Sequence, residues 1–380
     1  MTAILLSKKV KNSPLWRATL TPLASIIGSG FLVVAPLLGN IVGTNAVWAI
    51  FAIVIFAYAI GSVLRFNILQ VEPLLNAGGN RWLSLAEKTS NIALTLAYVV
   101  SVAFYIRLLA AFVLRVVEIQ SNLAANLLTT IVLMFIGLVG WHRGLKGLEM
   151  LEAFAVTIKL TIIATLLIGL ADYDFFNTAN RDVLAFEPRS KYDTLRALAG
   201  VLLIVQGFET SRYLGSAYSA QVRVKSMRIA QILSAVIYIG FIWLIMPLLP
   251  LLHSKAIDET AIIDLVGIVS FVLPTMLIIA AVMSQFSAAV ADTLGAGGLV
   301  VEETNKRVSQ RVSYLILISL AIALVWAINV FEIISLASRA FSFYYFAQAL
   351  VAMMVPRSNS PTFTYTCRQC LLALLSLGLL

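Results

Sequence analysis

The chain has 380 residues, of which 61% are hydrophobic and 12% are charged, and its mean hydropathy is +0.96. A soluble domain cannot bury that much apolar surface, so the composition predicts an all-α polytopic membrane protein in contact with the lipid bilayer. The net charge is +9, but the basic residues are spread over short segments, which argues against nucleic acid as a partner. Two cysteines and two histidines are too few for a metal cluster, and we expect no metal and no cofactor.

Ten apolar segments are each long enough to cross a bilayer as a helix. They cover residues 17–39, 42–64, 91–117, 124–141, 147–170, 195–219, 229–252, 265–294, 313–331 and 333–355. An eleventh apolar run, Cys370 to Leu380, is too short to span, so either the chain is truncated or its last helix lies only partly in the membrane. We expect a ten-helix core within residues 1–355 and a tail with an incomplete apolar segment over 356–380.

Lysine and arginine residues indicate how the spans are oriented. With a cytoplasmic N-terminus, the inner segments hold 17 of the 27 Lys and Arg residues, and the outer loops hold four, which are Arg181, Arg189, Lys191 and Lys255. Cytoplasmic loops of membrane proteins carry an excess of these residues. We therefore expect a cytoplasmic N-terminus in a plasma membrane protein, which in a bacterium means the inner membrane.

The first span is interrupted at Gly28-Ser29-Gly30, between Pro22 and Pro36. Two glycines around a serine are poor residues for a helix interior. In lipid, a broken helix is tolerated only where its freed backbone groups are buried in protein or face a cavity. Such a break places a helix N-terminus near the bilayer midplane, where an anionic group can bind. The alternative is that the small residues only allow two helices to pack closely.

The sixth span repeats this feature at Gln206-Gly207-Phe208-Glu209. A glutamine, a glycine and a carboxylate at mid-membrane are costly unless they face a polar interior. The interruptions lie in the first and sixth spans, five spans apart in order, so they occupy corresponding positions in two inverted repeats of about 17–170 and 195–355. This pattern points to a transporter binding site. The alternative is a packing glycine beside an internal ion pair between Glu209 and Arg212.

Three motifs resemble those of the amino acid–polyamine–organocation (APC) superfamily of transporters. The sequence from Ile26 to Phe31, followed by Pro36, resembles the superfamily's first-helix signature, and Gly207-Phe208-Glu209 resembles its sixth-helix break. Ala77-Gly78-Gly79-Asn80-Arg81-Trp82, after the second span, is similar to its Gly-Gly loop. The resemblance implies the five-plus-five inverted-repeat fold of the leucine transporter, with broken helices 1 and 6.

The resemblance also implies a small-molecule substrate, an amino acid or a related amine. Its carboxylate would accept hydrogen bonds from backbone N–H groups near the first break, and its ammonium would donate to carbonyls at both breaks, beside Glu209. This division agrees with the preference of helix N-termini for anions and of unwound carbonyls for cations. Phe208 is either a gate over the substrate or a packing residue. The predicted substrate-binding residues are Ile26, Ile27, Gly28, Ser29, Gly30, Phe31, Gln206, Gly207, Phe208 and Glu209.

Lys159 lies about 18 Å into the fifth span, counting from Gly147 at about 1.5 Å per residue. A lysine buried too deep to reach water can release and regain a proton near neutral pH. Some members of the resembled superfamily have a fifth-helix lysine whose ammonium takes the place of a sodium ion between helices one and eight, and Lys159 resembles it. The resemblance implies proton coupling, in which protonated Lys159 holds the two helices together and its deprotonation loosens the inner gate. The alternative is a purely structural ammonium.

The eighth span offers an ion or gate site at Ser284, Ser287 and Asp292. The two serines lie on one helix face, as sodium ligands would. Paired serines in membrane helices are more often contacts between helices, and a resident Lys159 would repel sodium, so we favour a proton over a sodium ion. Asp292 is expected to be solvated or paired with an arginine near the cytoplasmic end. Arg107, within the third span, requires a partner.

The sequence has no His-Glu-x-x-His, no Gly-x-Ser-x-Gly and no phosphate loop, so we expect no enzyme and no catalytic residues. The hypothesis is a permease, a secondary active transporter that is proton-linked or an exchanger and alternates access around the two breaks. The alternatives are a sodium-coupled transporter of another small solute and a permease-like sensor that binds without transport. The pattern leaves substrate identity and oligomeric state open.

Overall fold

A computed structural model describes residues 13–28, 30–78, 80–119, 121–176, 190–252, 261–328 and 330–355, and every regular element in these ranges is helical. The expected C-terminal apolar segment, Cys370 to Leu380, lies outside the described residues. The composition-based prediction of an all-α polytopic membrane protein is confirmed.

The first span consists of two helices, α1 (Pro14–Ile26) and α2 (Gly30–Val42). Ser13 caps α1 by accepting a hydrogen bond of 3.4 Å from the backbone N–H of Trp16, and Pro14 suits the first turn, where no intrahelical donor is needed. Helix α3 (Ala46–Phe66) follows after a 3₁₀ turn and continues through a π-helical turn, Asn67–Val71, into a short helix, Glu72–Asn76.

Helix α4 (Arg81–Val116) forms the third span, and α5 (Asn122–Phe176) contains both the fourth and the fifth. A straight helix of 55 residues would be about 80 Å long, far more than the roughly 30 Å of bilayer hydrocarbon. The continuity is broken at Gly144, where φ is 58° and ψ is −149°, values that only glycine adopts readily. Residues 122–176 therefore contain two helices that meet at a kink, and these correspond to the fourth and fifth predicted spans.

The second half begins with α6 (Lys191–Leu202) and two 3₁₀ segments, Leu203–Val205 and Phe208–Tyr213, which together form the sixth span. Helix α7 (Ala220–Ile245) is the seventh span and ends in a 3₁₀ segment, Met246–Leu252.

The remaining helices are α8 (Ala261–Val269), α9 (Leu273–Glu303), α10 (Gln310–Ala327) and α11 (Val330–Met353). The predicted eighth span, 265–294, is divided between α8 and α9, and α9 continues nine residues beyond its predicted end. Hydropathy could not locate this end, because the last turns of α9 are buried in the protein rather than in lipid.

By length and composition, six stretches of the described residues can cross a membrane, and two of them each extend over residues of two predicted spans. These two are 33–76, which joins α2 to α3, and 122–174. Large apolar side chains such as Trp48, Phe154 and Ile168 are exposed on the outside of the bundle, as expected for residues that face lipid. The buried interior contains α1 and α9, which pack against α4, α5 and α7.

Candidate functional site

The first interruption is confirmed at the place that the sequence predicts. Helix α1 ends at Ile26, Ile27 has φ −86° and ψ 59°, and α2 starts at Gly30. The last carbonyls of α1 therefore have no partners within their own helix and must find them elsewhere. Ser29, one of the predicted binding residues, lies outside the described residues.

The second interruption is confirmed at Gln206 and Gly207. Gln206 is extended, with ψ 179°. Gly207 has φ +116°, a backbone conformation that residues other than glycine rarely adopt. The chain then continues as the 3₁₀ helix Phe208–Tyr213. Glycine at position 207 is thus required by the backbone geometry of the break.

The two interruptions lie against each other. A Cβ on Gly207 would lie 2.7 Å from the carbonyl carbon of Ser25, and a Cβ on Gly30 would overlap Ile204. Tyr238 of α7 bridges both breaks, because its hydroxyl reaches the carbonyl of Ile26 at 2.9 Å and that of Ile204 at 3.3 Å. The two interrupted segments, around Ile26–Gly28 and around Gln206–Gly207, therefore meet in one buried region, which we call the double break.

Lys159 is 0% exposed and binds the end of α1. Its Nζ donates to the carbonyls of Ala24 at 2.8 Å and Ile27 at 2.6 Å, and to the hydroxyl of Ser287 on α9 at 2.8 Å. These three oxygens match the three N–H donors of an ammonium group. A cation at a helix C-terminus is also favoured by the helix dipole. Lys159 therefore connects α5 to both α1 and α9.

The hydroxyls of Ser284 and Ser287 are both occupied within the protein. Ser284 lies 2.7 Å from the carbonyl of Ile27 and 2.8 Å from that of Gly28. Ser287 accepts from Lys159 and donates to the carbonyl of Ser284 at 3.1 Å. The two serines thus join α9 to the broken end of α1.

Glu209 is buried at the second break. Its Oε2 accepts from the backbone N–H of Gly207 at 3.0 Å and from the hydroxyl of Tyr345 on α11 at 2.6 Å. Its Oε1 is buried without a hydrogen-bond partner. The alternative interpretation, an internal Glu209–Arg212 pair, is wrong, since the Arg212 guanidinium binds Glu87 at 2.8 Å instead.

Asp292 does not have the surroundings that we expected. It is 1% exposed, its Oδ1 accepts from the hydroxyl of Ser25 at 2.8 Å, and its Oδ2 accepts from the hydroxyl of Ser101. The expectation of a solvated or arginine-paired carboxylate was wrong because α9 extends to Glu303, which places Asp292 about 16 Å before the helix end. Asp292 instead links α9 to α1, through Ser25 next to the double break, and to α4, through Ser101.

Aromatic rings enclose both sides of the double break. Phe31 packs against Phe241 and Tyr238, with ring centroids 4.5 and 5.6 Å apart. Phe208 stacks on Tyr345 at 5.5 Å. Phe31 and Phe208 are both buried, so this conformation excludes water from the site.

Sequence reasoning did not identify Tyr238, Tyr345, Ser25 or Ser101 as parts of the site. A tyrosine within an apolar span resembles any packing aromatic, and its hydroxyl partner in another helix leaves no local signal. Ser25 directly precedes the first-span motif from Ile26 to Phe31, so its proximity to the break was the one available indication.

The arginines within predicted spans have different environments. Arg107 donates to the side-chain oxygens of Asn122 and Asn126 at 3.1 Å each, which identifies its partners, whereas Arg339 is exposed. Arg212 belongs to a buried polar network with Glu72, Glu87 and Gln348 beneath the second break.

Comparison with known proteins gives a consistent result. A family model described as an APC superfamily transporter matches residues 8–379. An uncharacterized protein of Aquifex aeolicus (strain VF5) is 47% identical over 355 residues, which cover 92% of this chain and 86% of the relative. Two mutant crystal structures of a manganese transporter from Eremococcus coleocola superpose with a TM-score of 0.58, at 13% and 14% identity, over 96% of this chain and 85% of theirs. At that identity the likeness shows the fold alone.

Proposed function

The chain belongs to a family of APC superfamily transporters, and from this membership we propose that it is a secondary active, proton-linked transporter of an amino acid or a related amine, not an enzyme. The observation that carries the proposal is the double break. Two interrupted helices from different halves of the chain meet in one buried region, and each interruption contains a glycine. Discontinuous helices that meet in this way support a substrate site.

Glu209 and Gln206 suit the amino end of such a substrate. Glu209 has a buried carboxyl oxygen without a partner, which an ammonium group would satisfy. The side chain of Gln206 and the carbonyls around Ile26 and Gly207 add neutral acceptors beside it. On this proposal, the carboxylate of the substrate faces the backbone N–H groups at the start of α2, from Ser29 to Phe31.

Lys159 supports proton coupling. An ammonium group donates three hydrogen bonds, which the carbonyls of Ala24 and Ile27 and the hydroxyl of Ser287 accept. A neutral amine has only two N–H donors, so loss of the proton removes one of the links between α1, α5 and α9. Release of a proton from Lys159 therefore favours a conformation in which α1 moves away from α9.

We place the N-terminus of α1 in the cytoplasm of a plasma membrane protein, on the basis of the Lys and Arg asymmetry. The two breaks then belong to inverted repeats of about 17–170 and 195–355, and the cycle alternates access around them as symport or as exchange.

The manganese specificity of the structural neighbour is not extended to this chain. Within the described ranges, no group of three or more His, Cys, Asp and Glu side chains converges on a position where a metal ion could bind. The side chains at the double break include Ile26, Ile27 and Phe208, which offer no oxygen, nitrogen or sulfur ligand.

The test is flux in liposomes that contain the purified protein. A mixture of tritiated amino acids is supplied outside, with an inward acid gradient, and protein-free liposomes serve as the control. We expect accumulation that a protonophore abolishes and that replacement of sodium by choline does not change. Binding without flux would identify a sensor, and uptake that requires sodium would overturn the proton-linked mechanism.

A thermal-shift screen against amino acids, amines and nucleobases narrows the substrate class. A compound that binds the folded protein raises its unfolding temperature. We expect hits among the amino acids or amines, and a screen with hits only among nucleobases would contradict the proposed substrate class.

A further inference from the structure

Glu152 is a buried carboxyl group with no role in the double break as described above. It lies on α5 after the bend at Gly144, and it is 1% exposed. Its Oε2 accepts a hydrogen bond of 2.8 Å from the hydroxyl of Thr21 on α1, whereas its Oε1 is buried without a hydrogen-bond partner. A buried carboxylate oxygen without a partner is costly to keep charged. A group that takes up a proton for part of a cycle avoids that cost.

The position of Glu152 relates it to Lys159. The two residues are seven positions apart on α5, which places them on the same helix face, within about 20° of each other around the axis. Their partners on α1, Thr21 and Ala24, differ in level by only about 4.5 Å along that helix. Movement of α1 therefore changes the surroundings of both groups together.

Glu149 extends this line of residues towards water. It lies one turn before Glu152 and forms an ion pair with Arg17, whose side chain is 45% exposed. The hydroxyl of Tyr218 donates to the other oxygen of Glu149 at 2.7 Å. The face of α5 that contacts α1 thus carries ionisable groups from the solvent-accessible end of the bundle to Lys159.

We propose that Glu152 relays protons between Lys159 and the cytoplasm, an inference that rests on the proton-linked function proposed above. In the release step, an N–H bond of the Lys159 ammonium breaks, bridging water carries a proton over the roughly 10 Å that separate the two residues along α5, and an O–H bond forms on the Glu152 carboxylate, which leaves a neutral amine and a neutral acid. When the base of α1 moves away from α5, the acid gives this proton to water at the cytoplasmic end and becomes a carboxylate again.

The charged groups around Glu152 support this assignment. Glu149 and Lys159 face it from its own helix, Arg17 lies at the base of α1, Asp292 faces it from α9, and Tyr218 follows the second break. Both oxygens of Glu149 and both of Asp292 accept hydrogen bonds. Among these three carboxyl groups, Glu152 is the one that has an oxygen free to take a proton.

Two substitutions separate a relay from a structural contact. Glu152→Gln keeps an oxygen that accepts from Thr21 but cannot carry a proton, and Thr21→Val removes the hydrogen bond but keeps the carboxyl group. Each variant is reconstituted and tested with the tritiated amino acid mixture, in net uptake driven by an acid gradient and in counterflow at equal pH. Counterflow exchanges substrate for substrate without net release of a proton, so it does not require a proton to pass from Lys159 to the cytoplasm.

For a relay, we expect Glu152→Gln to lower gradient-driven uptake about 100-fold and to leave counterflow within about twofold of wild type. Thr21→Val should remain near wild type in both assays. The reverse pattern, with Thr21→Val defective and Glu152→Gln active, would overturn the relay and leave Glu152 a structural role. If Glu152→Gln loses counterflow as well, Glu152→Asp decides, since it should recover gradient-driven uptake and a failure to do so overturns the proposal.

Flux by the wild-type protein separates a failure of the relay from a failure of the proposed function. Wild-type uptake with a fully active Glu152→Gln variant overturns the relay alone. Absence of wild-type flux in both assays overturns the relay and proton-linked transport together.

Discussion

Gly207 lies directly against Ser25, so the sixth span meets the first at its interrupted backbone. Any side chain at position 207 would have to displace the end of α1, which is bound at the Ile27 carbonyl by Lys159 and Ser284. The contact between Gly207 and Ser25 is therefore the point at which the two halves of the chain fix each other's geometry.

Gly207→Ala should destabilise the protein by at least about 2 kcal/mol, because it adds a strained positive φ to a collision with Ser25. The measurement is the free energy of unfolding in detergent. Gly240→Ala is the matched control, since a Cβ at Gly240 on α7 meets nothing within 4 Å. A Gly207→Ala protein as stable as this control would show that the two breaks do not pack as described.

The positions of both breaks could be predicted because their signals are local. Gly28, Gly30 and Gly207 interrupt otherwise apolar helical sequence, and glycine destabilises a helix wherever it occurs. The number of membrane crossings stays a prediction, because the sequence predicts ten spans, whereas six stretches of the described residues are long and apolar enough to cross a membrane. Gly144 lies in the predicted gap between the fourth and fifth spans, and its non-helical backbone separates the two helical parts of α5 at that place.

The partners of the polar residues could not be predicted. Tyr238 and Ile26 are separated by 212 positions, and no local pattern relates a hydroxyl to a carbonyl at that distance. The predicted environment of Asp292 was wrong for a related reason, because the burial of Asp292 depends on how far α9 extends within the protein. Sequence periodicity describes a residue's own helix, whereas these contacts are determined by the packing of several helices.

Lys159→Ala should abolish the dependence of uptake on pH near neutrality, while folded protein is still obtained. As pH rises, wild-type Lys159 loses its proton and one of three hydrogen bonds, which weakens the contact between α1 and α9. The alanine variant has no such group, so uptake of the tritiated mixture should be flat with pH. Lys88→Ala, at an exposed position, is the control. Loss of folded protein in the Lys159→Ala variant would instead favour a purely structural ammonium.

Sodium should stabilise the Lys159→Ala variant but not the wild-type protein. Removal of the ammonium leaves the carbonyls of Ala24 and Ile27 and the hydroxyl of Ser287 around a vacated position, and oxygen ligands suit a hard cation. At ten times the dissociation constant, sodium would contribute about 1.4 kcal/mol. The measurement is the unfolding temperature in sodium chloride against choline chloride. An equal effect of sodium on the wild type would place the sodium site elsewhere.

Arg212 and Arg17 should respond differently to substitution, although both form ion pairs beside the broken helices. The side chains of Arg212 and Glu87 are 2% and 7% exposed, so Arg212→Met leaves a buried carboxylate without its cation and should cost about 3–5 kcal/mol. Arg17 is 45% exposed, and Arg17→Met should cost no more than about 1 kcal/mol. Both costs are to be measured as changes in the free energy of unfolding in detergent.

The double variant Arg212→Met with Glu87→Met tests the cause of the larger effect. If the cost comes from the unpaired Glu87 carboxylate, removal of that carboxylate as well should recover more than half of the lost stability, because two apolar side chains of similar volume can replace a buried pair. If the stability losses of the two single substitutions add in the double variant, the Glu87 carboxylate is not destabilised by the absence of Arg212. In that case Arg212 acts at the second break through Glu72 and Gln348 instead. Recovery would mean that the cost of Arg212→Met is the burial of an unpaired Glu87 carboxylate next to the 3₁₀ helix Phe208–Tyr213, and not the loss of a contact that holds this helix in place.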